Sequence, residues 1–162
     1  MNLGLRLLVV FLMGMACTST FANDVVTINV SGILTRAACT LTSNKVQSAN
    51  FGSMQTDHIS SASSIAIPIN LSCPANSSLN VSVKASGLYQ GSPNVATTTK
   101  ANLVYTMTWN SDRTTASLDG TRRKLTNLSG NVDVGLTVKL ASITAQTEGS
   151  FSGSSVVTIE YL

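Results

Sequence analysis

Beyond residue 22, apolar and polar side chains alternate along much of the chain, and clusters of Gly, Asn, Asp or Ser break the alternation about every ten residues. A period of two places successive side chains on opposite faces of a strand, so this rhythm predicts an antiparallel β-sandwich. The predicted strands are Val25 to Leu34, Cys39 to Val46, Ser64 to Cys73, Leu79 to Ser86, Leu103 to Trp109, Lys124 to Leu128, Val132 to Leu140 and Ser154 to Leu162. Pro68 falls inside the third, where a missing N–H suits an edge position or a switch between sheets. Asp119-Gly120 and Asn110-Ser111-Asp112 read as turns, and 86–94 and 97–100 as exposed loops. In the first strand Val26, Ile28, Val30, Gly32 and Leu34 share one face. Such a segment is either the first strand of its own sandwich or an arm that completes a neighbour's, and periodicity alone leaves both open.

The leading residues follow another pattern. A short start carrying Arg6 runs into Leu7-Leu8-Val9-Val10-Phe11-Leu12-Met13 and closes on Thr20-Phe21-Ala22. This is the layout of a secretory signal peptide over residues 1–22, with Asn23 as the predicted mature start. A membrane anchor is the alternative, but the apolar run falls short of the roughly 20 residues a bilayer span needs. Lipoprotein processing at Cys17 is a second, disfavoured by Gly14, where a lipobox usually carries Leu. Export leaves Cys39 and Cys73 in an oxidising compartment, where they allow one intramolecular disulfide; free buried thiols are the alternative. Closing a loop of that length would stabilise by roughly 3 to 4 kcal/mol on chain-entropy grounds.

Composition then removes several function classes. Of the 140 residues from Asn23 onward, 40 are Ser or Thr, and good helix formers are scarce. The nine Lys and Arg in that stretch exceed its seven acids by two, too few and too scattered for a nucleic-acid surface. Arg122-Arg123-Lys124, the one basic cluster, reads as a solvated turn. No C-x-x-C exists, so zinc and thiol redox chemistry are unsupported, and no metal or cofactor is expected. The single histidine, His58, follows Asp57, but no third member of a catalytic triad is indicated and the chain is not read as an enzyme. Asn29, Asn70, Asn76, Asn80 and Asn127 each open an N-x-Ser sequon, a chance expectation in so Ser-rich a chain. Tyr105 and Trp109 share a strand face and are read as core, with a carbohydrate platform as the alternative.

Taken together, the two ends and the cysteines resemble the chaperone-usher pilins. The matching features are Val26-Thr27-Ile28-Asn29-Val30-Ser31-Gly32 seven residues before Cys39, Asn50-Phe51-Gly52, Ile69-Asn70-Leu71-Ser72-Cys73, Glu148-Gly149-Ser150-Phe151, and the closing Val157-Thr158-Ile159-Glu160-Tyr161-Leu162. Gly149, fourteenth from the end, and the penultimate Tyr161 stand where that family marks its last strand. The likeness spans the chain from Asn23 onward and is nearest to the short adaptor subunits of type 1-like pili. Ala38 departs from it, since many members carry Pro before the first cysteine. The chain is also too short to hold a lectin domain ahead of a pilin domain, so a two-domain tip adhesin is not expected.

The resemblance implies an all-β, incomplete immunoglobulin-like sandwich that lacks its final strand and is completed by donor-strand exchange. It divides the chain into a signal peptide (1–22), an N-terminal extension (23–34) and a pilin domain (35–162). Val26, Ile28, Val30, Gly32 and Leu34 become the donor strand offered to the next subunit. Gly32 suits a shallow pocket, with a bulge or turn as its alternative. Gly149, Val157, Ile159, Tyr161 and Leu162 belong to the last strand, which borders the groove and docks a chaperone. The implied partners are a periplasmic pilus chaperone, an outer-membrane usher and neighbouring pilin subunits, with no nucleic acid. The implied place is a fimbrium on a Gram-negative cell surface, and the implied role that of a minor or adaptor subunit contributing to adhesion. A major shaft pilin and a single-domain secreted adhesin are the alternatives.

Overall fold

Alternation does produce strands in the computed structural model, which describes residues 26–34 and 37–162; the signal-peptide expectation and Val25 lie outside the described residues. The chain divides into two units, Met1–Thr35 and Arg36–Leu162, and each is treated by itself. In the first, residues 26–34 form no strand. Their apolar side chains stand in solvent: Val26 is 81% exposed and Val30 92%. The sequence predicts a strand here; the alternation is present, but no ladder partner supplies the backbone hydrogen bonds that would make it one.

The second unit holds eight strands among the described residues: β1 (Thr40–Leu41), β2 (Ile65–Ile67), β3 (Asn70–Ala85), β4 (Ala96–Thr97), β5 (Leu103–Trp109), β6 (Asp119–Asp133), β7 (Leu136–Ser142) and β8 (Ser155–Tyr161). They form two four-stranded antiparallel sheets. In one, β3 lies between β6 on one side and β1 and β8 on the other; the second runs β2-β7-β5-β4. The sheets enclose a core in which Leu71, Leu79, Val81 and Val83 of β3 face Leu103, Tyr105 and Trp109 of β5 and Leu136, Val138 and Leu140 of β7.

Proline sets two of the breaks. Pro68 stands between β2 and β3, where the chain passes from one sheet to the other. Pro74 sits inside β3, which is one strand where two were predicted. Its ladder with β6 is irregular between Cys73 and Ser77, as expected where a residue has no N–H to donate. The predicted Cys39 to Val46 strand shortens to Thr40–Leu41: the Thr42 N–H and hydroxyl both still donate to the Asn70 carbonyl, but the Asn70 N–H is met by the Ser43 hydroxyl in place of a backbone carbonyl, and the chain then leaves β3. Asp119-Gly120, predicted as a turn, instead opens β6, with Gly120 at φ +98° absorbing the bend. β6 runs well beyond the predicted Lys124 to Leu128, because an edge strand tolerates the polar residues on either side. Cys39, just ahead of β1, is joined by a disulfide to Cys73 of β3.

Candidate functional site: an open groove beside the last strand

β8 is paired on one side only. It follows β3 from Ser155 opposite Ala85 to Tyr161 opposite Leu79, and no strand lies along its other edge among the described residues. Across from that edge runs the irregular segment 44–51, which continues from β1 without entering a sheet. Between the two walls lies a cavity of about 670 Å³. Its floor comes from the second sheet: Ile67 of β2, Met107 of β5, and Leu136, Val138 and Leu140 of β7. Val157 and Ile159 of β8 and Phe51 of the opposite segment line its sides, half-buried. The site is therefore a long apolar trough flanked by a strand edge with unused N–H and C=O groups.

Such a trough has the shape to accept extended polypeptide. Backbone groups of an added strand would satisfy the free edge of β8, and alternate side chains would enter the core from above. At one end the trough adjoins a second cavity of about 690 Å³, lined by Asn50, Gln55, Lys100 and Glu148 as well as Phe51 and Phe151. Lys100 Nζ is already engaged there, donating to the Glu148 carbonyl at 2.9 Å.

Of the last-strand residues picked out in the sequence, Val157 and Ile159 reach the trough. Gly149 lines the adjoining cavity, with φ at +134°, a region L side chains rarely enter. Tyr161 is 42% exposed and, with Leu162, is not among the residues lining the trough. Gly32 in the arm shows no left-handed φ, and a Cβ built on it meets nothing within 4 Å, so its own surroundings do not require glycine. The floor residues were not picked out from the sequence, because their strands read as ordinary core; of the 44–51 wall, residues 44–46 were predicted as strand and are not, and Asn50-Phe51 was noted only for its resemblance.

Tyr105 and Trp109 are both buried, at 5% and 6% exposure, as core residues. Burial raises the Tyr105 phenol above its usual range, partly offset by a hydrogen bond with Ser155. Arg123, from the basic cluster, lies 5.1 Å from the Trp109 ring centroid and pairs with Asp112 at 2.6 Å, closing the turn after β5. Asp112 is held below the ordinary carboxylate range chiefly by hydrogen bonds from Thr114 and also by Arg123. Asp57 and His58 are an exposed pair 3.8 Å apart.

No protein-family model matches the chain. No curated protein matches it either. Solved structures do. The P pilus rod subunit PapA superposes with a TM-score of 0.63 at 18% identity, covering 78% of this chain and 100% of that one. A chain from the structure of a chaperone-usher pilus, solved to explain rod uncoiling, gives 0.63 at 15% identity over 88% and 99%. The P pilus adaptor subunit PapF gives 0.56 at 17% identity over 78% and 97%. The fold is thus all-β and immunoglobulin-like, that of chaperone-usher pilus subunits.

Proposed function

We propose that the chain is a structural subunit of a chaperone-usher fimbria, assembled by donor-strand complementation. The observation that carries this reading is the apolar trough beside the free edge of β8. The exposed Val26, Ile28, Val30, Gly32 and Leu34 row supports the complementary half, because each residue taken into a neighbour's core would gain roughly 1.5 to 3 kcal/mol if fully buried. Partners follow from that logic. A periplasmic chaperone covers the trough before assembly, an outer-membrane usher presents the subunit for exchange, and neighbouring subunits fill the trough in the fibre. Residues 1–22 act as the export signal, and the product stands on a Gram-negative cell surface. The adaptor position is the finer reading, and the role of a shaft subunit is the second, favoured by the likeness to the PapA rod subunit at a TM-score of 0.63 against 0.56 for the PapF adaptor.

The test uses the mature chain and a synthetic peptide of residues 23–36. The peptide is expected to bind with one-to-one stoichiometry and raise the unfolding temperature, and the same peptide carrying Gly32→Trp to bind much more weakly. A mature chain that is a stable monomer indifferent to the peptide would overturn the reading in favour of a self-sufficient secreted sandwich. Abundance in purified fibres then separates shaft from adaptor.

A further inference from the structure

We propose that Tyr105 is the positioning residue that fixes where the open edge of β8 begins, and with it one end of the strand-accepting trough. The inference rests on the reading of the trough given above.

Tyr105 belongs to β5 in one sheet, whereas β8 belongs to the other. Its ring crosses the core, and its hydroxyl lies 3.0 Å from the Ser154 carbonyl and 2.8 Å from the Ser155 hydroxyl. A phenol both donates and accepts, so it donates to the carbonyl while Ser155 donates to it. The Ser154 carbonyl also accepts from the Ser86 N–H at 3.0 Å. One peptide oxygen is therefore held by Tyr105 of one sheet and by Ser86, just past β3 of the other, one residue before β8 starts.

The approach is possible because glycine precedes it. A Cβ on Gly153 would stand 2.8 Å from the Tyr105 ring. Further back, the crossing from β7 to β8 is strapped to the segment after β4. The Thr99 N–H donates to the Ser152 carbonyl at 2.8 Å, and the Ser152 N–H donates to Thr99 Oγ1 at 3.0 Å. Residues of the second sheet and its loop thus set the start of a strand that otherwise pairs only with β3.

An incoming strand must align its backbone with an edge whose first residues are fixed in this way. The contribution of the phenol is consequently local: it governs the end of the added strand that lies beside Ser154 and Ser155, and leaves the far end untouched. A side chain that merely stabilised the core would affect every part of the added strand alike.

Release of labelled peptide from the mature chain distinguishes the two. Three peptides are compared, residues 23–36 and two versions shortened by three residues at either end, on wild type, Tyr105→Phe and Ser155→Ala. Tyr105→Phe keeps the ring and removes the hydroxyl, and is expected to speed release of the full peptide roughly tenfold, the upper end for a lost part-buried hydrogen bond. One shortened peptide should keep that difference, and the other should be released equally from wild type and variant. Ser155→Ala should give the same contrast at smaller amplitude, and carries the test alone if Tyr105→Phe does not fold. Equal acceleration of all three peptides, or of none, overturns the proposal. Failure of wild type to bind any of them instead overturns the strand-accepting reading beneath it.

Discussion

Two segments of this chain share a Val-Thr-Ile run and behave oppositely. Val26-Thr27-Ile28-Asn29-Val30 and Val157-Thr158-Ile159-Glu160-Tyr161 share a Val-Thr-Ile core and the same alternation. The second is β8, laddered on β3 with Val157 and Ile159 half-buried; the first is no strand, with Ile28 80% exposed. The pattern therefore specifies a face and leaves the partner unspecified. β8 has its partner in the same chain, and on the reading proposed above the arm finds its own only in another molecule.

The largest test of this contrast is a matched pair of truncations. Leu79, fully buried on β3, should lose about 2 to 5 kcal/mol of unfolding free energy as Leu79→Ala, because the methyl groups removed leave a cavity. Leu34→Ala in the exposed arm should change it by less than about 0.5 kcal/mol in the monomer. Urea unfolding of the mature monomer reads both, and an arm variant as costly as the core one would show that the arm is held by its own chain. Next in size, saturating arm peptide should stabilise the chain by about 2.7 kcal/mol at a hundredfold excess over its dissociation constant, measured as a shift in the urea midpoint. Gly149→Ala follows, at about 1 to 3 kcal/mol, since φ +134° is open to glycine and strained for alanine.

Much of this was legible in the order of residues, and what was not has a physical cause. Leu103 to Trp109 was predicted with the bounds it has, because both its ends are marked by turn residues and it alternates from Tyr105 to Trp109. Pro68 signalled an edge position or a sheet switch, and stands at a switch. The arm was predicted as a strand and is not one, since alternation records burial potential and says nothing about which chain provides the burial. The trough was beyond reach. Its floor is assembled from β2, β5 and β7, and its far wall from a segment that enters no sheet, so no window of sequence contains it. The Tyr105–Ser154 contact spans 49 positions and joins β5 to the residue just ahead of β8, a strand it never pairs with, which leaves no local trace.

The smallest effect sharpens the comparison most directly, because it asks what holds β8 down when one of its edges is open. On the outer face of β3, Arg122 of β6 reaches diagonally across Ser82 and Asn80 to Glu160 of β8, with Nη2 and Oε1 2.9 Å apart. Both side chains are substantially exposed, 65% and 40%, so their attraction is screened by water and salt. Arg122→Ala should therefore cost only about 0.2 to 1 kcal/mol, and the loss should vanish in 1 M salt. That outcome assigns the seating of β8 to its ladder with β3 and to Val157 and Ile159, the same two sources from which the arm would draw once it lay in a trough. A loss above about 2 kcal/mol that persists in salt would mean that a charge bridge absent from the arm anchors β8, and the Val-Thr-Ile run shared by the two segments would then explain much less of their behaviour.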